Sequence, residues 1–196
     1  MNVDYLDKWN RRHGEAEDLG NPAQVLLRNL HLLPKEGRAL DLACGRGASA
    51  LLLAEHGLET HAWDFSPVAL ERLKAAAASR GLSLHPQVRD VVASPPEAES
   101  FDVILVSFFL ERKLVPHLVS ALRPGGIIYY QTFTREVYMD RGPSAPDWRL
   151  KKNELLHLFR ELDVHYYRED GNAARIRTDI SDLALLVAAK ELEPCH

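Results

Sequence analysis

Between residues 38 and 134, apolar runs of strand length alternate with segments of helical period, and this alternation limits what the chain can fold into more than any other feature of its 196 residues. Arg38 to Ala43 reads as a buried strand, and Ala48 to Glu55 as a short apolar helix closed by Gly57. Thr60 to Asp64 is a second strand. A helix follows with Ser66 as N-cap, Pro67 at its first position and Gly81 beyond its end; Val68, Leu70, Leu73 and Ala77 are expected to face inward. Leu82 to Arg89 is a weaker third strand, in which Pro86 argues for an edge position or a late start. Phe101 to Ser107 is a central buried strand. Leu110, Leu114, Leu118 and Leu122 then predict a helix that stops at a turn, Arg123-Pro124-Gly125-Gly126, before a fifth strand from Ile127 to Thr134. Connections of helical length imply parallel neighbours joined by right-handed crossovers.

The flanks complete the pattern. Asn21 and Pro22 start a helix with the stripe Val25, Leu26, Asn29 and Leu30, ending before Pro34, so residues 1–33 are expected to form an N-terminal helical cap. Residues 135–149 show no period, hold Gly142, Pro143 and Pro146, and form a loop longer than most domains keep without a use; they are the substrate-loop candidate. Leu155, Leu156, Phe159 and Leu162 mark a last helix, and Val164 to Tyr167 and Leu183 to Ala189 two further strands, antiparallel because Arg168 to Asp182 lacks a helical pattern. The expected fold is α/β and doubly wound (Rossmann-like). It has a seven-stranded, mostly parallel sheet, an antiparallel C-terminal strand and helices on both faces, within a single domain over 1–196. A hydrophobic content of 46% can fill one such core.

A net charge of −4 supplies neither a field that gathers nucleic acid nor a basic cluster suited to an anionic membrane. No apolar run approaches the ~20 residues of a membrane span, and Met1 to Asn10 lacks the pattern of a signal peptide, so a cytoplasmic protein with a small-molecule partner is expected. Cys44 and Cys195 stand at opposite ends of the chain without a CxxC or a histidine at ligand spacing, which argues against a disulfide or a metal site. The oligomeric state stays open.

In open sheets of this kind, ligands bind at the carboxyl ends of the strands where the strand order reverses. The first such place is Asp41-Leu42-Ala43-Cys44-Gly45-Arg46-Gly47, where Gly45 and Gly47 allow a sharp turn and a close ligand. Asp64 ends the second strand, where a carboxylate can accept hydrogen bonds from both hydroxyls of an adenosine ribose. A dinucleotide fingerprint would need a third glycine, but Ala48, Ser49 and Ala50 follow. Asp41 would moreover repel a pyrophosphate and suits a cationic amino group, such as that of S-adenosylmethionine. After the third strand, Asp90 with Val91 can read an adenine edge; after the fourth, Ser107 and Phe108 lie where base and methyl donor should meet.

ALDLACGRGASALLLAEHGLETHAWDFSPVAL, FDVILVSFFL with LRPGGIIYYQTFT, and the flanking WNRRH and RLKKNELLHLFRELDV together resemble the class I S-adenosylmethionine-dependent methyltransferases, especially their compact tellurite-resistance-like branch. The resemblance implies that Asp41, Ala43, Gly45 and Gly47 form the loop under the methionine moiety, with Cys44 and Arg46 contributing backbone. It also implies that Asp64 holds the ribose, Phe65 flanks the adenine, and Asp90 with Val91 reads its edge. Ala43 departs from the family, many members having glycine there, and an ordinary φ is expected for it.

Methyl transfer is an in-line displacement that needs positioning and dryness more than a catalytic triad. On the acceptor side the candidates are Trp9, Arg12 and His13, Phe108, and Tyr138 with Arg141 from the loop; for Trp9 a packing role and for Arg12 plain solvation weigh equally. Ser107-Phe108-Phe109-Leu110 replaces the Pro-Pro run of amino-group methyltransferases of nucleic acids, and the sole Pro-Cys, Pro194-Cys195, is in the tail. A thiol, a chalcogen oxyanion or a similar small acceptor is therefore expected. A protein substrate, or cofactor binding without turnover, remains as the alternative, with a nicotinamide-dependent oxidoreductase behind them.

Overall fold

The computed structural model describes residues 3–173 and 175–192; Pro194 and Cys195 lie outside them. Seven strands form one sheet: β1 (Arg38–Leu42), β2 (Glu59–Asp64), β3 (His85–Val88), β4 (Phe101–Ser107), β5 (Leu122–Phe133), β6 (Asp163–Glu169) and β7 (Leu183–Ala189). Their order is β3-β2-β1-β4-β5-β7-β6. Pairing is parallel from β3 to β5, and β7 runs antiparallel to both β5 and β6. The chain starts in the middle at β1, works outward to β3 and returns to β4, so the order reverses between β1 and β4, with a crevice at their carboxyl ends.

Among the described residues six α-helices surround the sheet: α1 (Val3–Glu15), α2 (Gln24–Arg28), α3 (Ala48–Glu55), α4 (Pro67–Ser79), α5 (Val115–Ala121) and α6 (Glu154–Leu158). Alternate residues of each central strand feed two separate cores, as the pleat requires. Leu40, Ile104, Val106 and Tyr130 pack with Leu118 of α5 and Leu155 of α6, whereas Ala39, Val103, Leu105 and Tyr129 pack with Val25 and Leu26 of α2. Ser66 caps α4 as its sequence signature predicts, its Oγ accepting the Ala69 N–H at 3.3 Å. Inside α4 the buried positions are Ala69, Leu70, Leu73 and Ala77; Val68 is half-buried and faces Gly14 of α1.

Several segments differ from the sequence reading: β3 starts only at His85, Leu110 lies outside α5, and α6 ends before Phe159 and Leu162. The helix expected from Asn21 shrinks to α2 and a 3-10 turn over Leu30–Leu32, because Asn29 leaves helical geometry at φ −131° and its side-chain amide donates to the Val25 carbonyl at 2.9 Å. The Arg123-Pro124-Gly125-Gly126 turn lies inside β5 rather than before it. Leu122 pairs with Phe101 and Ile127 with Val103, so the intervening residues fold back as an irregularity in which a Cβ on Gly126 would sit 2.8 Å from the Arg123 carbonyl oxygen. The 135–149 loop is anchored at several points. Arg149 is only 4% exposed and donates to the carbonyls of Pro143 (2.7 Å), Thr134 (2.9 Å) and Arg141 (2.6 Å). Arg112 pairs with Glu154 at 2.6 Å and donates to the carbonyls of Asp147 and Arg149. No described helix is long and apolar enough to cross a membrane.

Candidate active site

Beyond β1 the backbone turns through three left-handed residues, Ala43 (φ +54°), Gly45 (φ +54°) and Gly47 (φ +77°). The expectation of an ordinary φ at Ala43 is therefore corrected. The bend closes through Cys44 N–H to the Trp63 carbonyl and Gly47 N–H to the Cys44 carbonyl, both at 3.0 Å, and this closure overrides alanine's own preference. The two glycines serve different ends. A Cβ on Gly47 would lie 2.5 Å from Leu73 Cδ1, so close packing of α4 against the bend demands glycine there, whereas a Cβ on Gly45 would meet His13 Cε1 at 3.3 Å.

Asp64, 4% exposed at the end of β2, accepts the Gly45 N–H through Oδ2 and the Ser66 N–H through Oδ1, each at 2.8 Å. Burial raises its pKa while these backbone donors oppose the rise. Asp41 is 1% exposed, and neither of its carboxylate oxygens has a hydrogen bond of good geometry. Burial first, and then the neighbouring Asp64, push its pKa up to about 8, against a weak opposing pull from the Ala50 N–H. Burial and the same two carboxylates raise the Cys44 thiol, which disfavours its thiolate form. An unpartnered buried carboxylate calls for a cation with N–H donors, and Asp64 retains lone pairs for hydroxyls. These residues fit the amino-acid and ribose ends of S-adenosylmethionine.

The other predicted cofactor positions follow the strand ends. Phe65 is half-buried next to Asp64. Asp90 Oδ1 accepts the N–H groups of Val92 (3.1 Å) and Ala93 (3.2 Å), capping the turn after β3, and Val91 is buried in the core. Arg46 donates to the Asp18 carbonyl, tying residue 18 to the bend. Ser107 ends β4 half-buried, and Phe108 follows at φ +56°.

Of the acceptor-side candidates on α1, His13 reaches the bend. Ser66 Oγ–H donates to Asn10 Oδ1 at 2.6 Å, and Arg72 of α4 donates to the carbonyls of His13 (2.7 Å) and Ala16, so the end of α1 is held against α4. The rings of Trp9 and His13 stack at 5.6 Å, with the Arg12 guanidinium 5.1 Å over Trp9. Burial first, then Arg46, Arg12 and Arg72, push the His13 pKa down to about 4. Tyr138 and Arg141 instead pin the loop. The Tyr138 hydroxyl lies 2.6 Å from both Glu136 Oε2 and Asn172 Oδ1, with its pKa pushed up to about 12, and Arg141 pairs with the buried Asp182.

Gln131, Phe133, Arg149, Asn10 and Arg72 escaped the sequence reading. Gln131, whose Oε1 accepts the Val25 N–H at 2.8 Å, carried a signal: it is a polar residue inside the run IIYYQTF. Glu59, His61 and His85 also come together, at the opposite end of the sheet, with ligand-type atoms within 4.8 Å of one another. There the Arg38 guanidinium, 3.1 Å from His61 Nε2 and 3.2 Å from Glu59 Oε1, already occupies the position of a cation.

Residues 39–126 match a family model described as a methyltransferase domain. A ubiquinone biosynthesis O-methyltransferase of Methylocella silvestris is 34% identical over 192 residues, covering 87% of this chain and 73% of that protein. Proteins of the same name from Coxiella burnetii are 24% identical over 139 residues, an alignment covering 67% of this chain and 59% of their length. Among solved structures, TehB from Haemophilus influenzae superposes with a TM-score of 0.68 at 19% identity, covering 85% of this chain and 61% of TehB. That likeness is one of fold.

Proposed function

This chain belongs to the class I S-adenosylmethionine-dependent methyltransferase family, and on that footing we propose that it transfers the donor's methyl group directly to a small-molecule acceptor, a thiol, a chalcogen oxyanion or a similar nucleophile. The observation that carries this reading is the Asp41 carboxylate, buried beside the Gly45 bend and without a hydrogen bond of good geometry. Asp41 would hold the donor's ammonium, Asp64 its ribose hydroxyls, and Asp90 with Val91 the adenine edge that Phe65 flanks. The backbone of Ala43, Cys44, Gly45, Arg46 and Gly47 would lie under the amino-acid tail. When bound, S-adenosylmethionine supplies a methyl carbon already activated by its sulfonium.

The chain's own residues then bind, orient and keep water away. Helix α1, tied down through Asn10 and Arg72, covers the bend. The Phe108 and Phe133 rings, 5.1 Å apart, wall the crevice on the side of β5. Neutral His13, beside Gly45, offers an imidazole nitrogen as a hydrogen-bond acceptor without adding positive charge next to a sulfonium. The relatives named for ubiquinone biosynthesis support a small acceptor.

Calorimetry against S-adenosylmethionine, its demethylated product and NAD, followed by incubation with methyl-labelled donor, a panel of thiols and chalcogen oxyanions, and finally cell lysate, tests the proposal. Binding of the first two ligands and label in small products is the expected result. Label entering protein alone, or binding without any transfer, overturns it.

A further inference from the structure

Resting on that reading, we propose that the acceptor is a planar aromatic anion, an aryl thiolate or a phenolate, which seats its ring against Phe108. Phe108 combines two features directly after the central strand. It holds a left-handed φ of +56° despite a bulky side chain, and half of its surface (50%) is exposed. Its N–H donates to the Gln131 carbonyl at 2.9 Å, so the pairing of β4 with β5 maintains the strain and the ring is presented at the rim of the crevice. Backbone strain at a bulky residue disfavours the folded state, and such positions persist where they serve a ligand.

The direction of the ring separates acceptor from cofactor. Asp41, next to the last residue of β1, and Asp64, which ends β2, are the groups that fit the donor and lie on one side of β4. The Phe108 ring packs toward the other side, on Phe133 at the end of β5, with centroids 5.1 Å apart and planes inclined by 34°. Gly142 of the loop lies flat on Phe133, where a Cβ would come within 2.8 Å of the ring carbons. Phe133 is thereby shielded, and Phe108 is the member of the pair left open to a ligand.

Charge selects the kind of aromatic ligand. Two guanidinium groups flank Phe133, Arg149 at 5.2 Å and Arg141 at 5.8 Å from its centroid. Asp182 neutralises Arg141. Arg149 is buried, is solvated by three backbone carbonyls, and among the described residues has no carboxylate at ion-pair distance. A buried cation without a counter-charge behind an aromatic wall favours an anion over a neutral molecule, and the phenyl face favours a flat one. In the transfer, a lone pair of the ionised sulfur or oxygen forms the bond to the methyl carbon while the bond from that carbon to the donor sulfur breaks. The electron pair leaves with the donor as a neutral thioether. The acceptor loses its negative charge, no proton moves, and no base is required. An aliphatic thiolate or a chalcogen oxyanion has the charge but no face to set on Phe108.

The test uses the full chain with methyl-labelled donor and four acceptors: thiophenol, 4-nitrophenol, 2-mercaptoethanol and selenite. An aromatic acceptor is expected to show a kcat/KM at least tenfold above both non-aromatic ones. Phe108→Gly should raise the KM for the aromatic acceptor at least fivefold with the donor Kd unchanged; Phe108→Tyr, which keeps the ring, should keep the wild-type KM. Equal turnover of all four acceptors overturns the inference, as does a Phe108→Gly variant that loses donor affinity while keeping its KM. Transfer to selenite or 2-mercaptoethanol without an aromatic product sinks this inference alone. Donor binding with no transfer to any acceptor sinks the underlying reading.

Discussion

The Asp64 carboxylate accepts the backbone N–H of Gly45 at 2.8 Å, joining the tip of the second strand to the bend that follows the first. Two groups 19 positions apart in sequence thus form one wall, and the same carboxylate takes the Ser66 N–H. Replacing it removes the acceptor for the donor's ribose and loosens the bend as well. Asp64→Ala should weaken binding of S-adenosylmethionine by at least ~1.5 kcal/mol, the scale of a lost charged acceptor, as read by calorimetry. Asp64→Asn keeps one acceptor oxygen and should lose less. Equal affinity in the alanine variant would place the ribose elsewhere.

Asp41 makes donor binding depend on pH. With its pKa pushed up to about 8, the empty site carries a proton at neutral pH. An incoming ammonium favours the ionised form, so binding releases that proton, and affinity should rise close to tenfold per pH unit up to about pH 8, then level off. Calorimetry in two buffers of different ionisation enthalpy should count about one proton released at pH 7. Asp41→Asn should bind more weakly and lose the pH slope. A wild-type affinity that is flat from pH 6 to 8 would contradict this account.

The strand ends that build this site were legible because hydrophobic period and spacing are local. Ala48–Glu55, Phe101–Ser107 and Leu183–Ala189 form where the pattern places them. What the sequence concealed depends on closure in three dimensions. Ala43 disfavours a left-handed φ by itself, and only the hydrogen bonds across the bend impose one. Arg-Pro-Gly-Gly reads as a turn until the distant pairing of Leu122 with Phe101 draws it into a strand. Arg149 looks like an ordinary loop arginine, and it becomes a buried strut only once Pro143, Thr134 and Arg141 aim their carbonyls at it.

Ala43 also gives a stability prediction. A non-glycine residue in the left-handed region costs roughly 1–2 kcal/mol, partly offset because glycine is freer in the unfolded chain. Ala43→Gly should therefore stabilise the protein by about 0.5–1 kcal/mol, or about 2–3 °C in Tm for a domain of this size. Ala43→Val, β-branched at the same φ, should lower Tm. Scanning calorimetry of the three proteins decides the matter, and a lower Tm for the glycine variant would mean that the Ala43 methyl contributes more by packing than it costs in strain.

His13 and Asp41 act on stability with opposite signs, which allows each to be read separately. The folded His13 resists protonation until about pH 4, whereas an unfolded imidazole takes up its proton near 6.5, so its contribution to stability falls as pH drops through that window. Asp41 does the reverse: its proton is lost near pH 3.8 in the unfolded chain and near 8 in the folded one, so its contribution falls as pH rises, by about 1.4 kcal/mol per unit. His13 is partly solvated, and its slope is smaller. Between pH 4 and 6.5 the two oppose each other, and above 6.5 only Asp41 remains. His13→Gln should therefore gain Tm relative to wild type at pH 5 and little at pH 7.5, while Asp41→Asn should gain most at pH 7.5. If the two variants shift Tm in parallel at both pH values, neither group carries the pKa that its burial imposes.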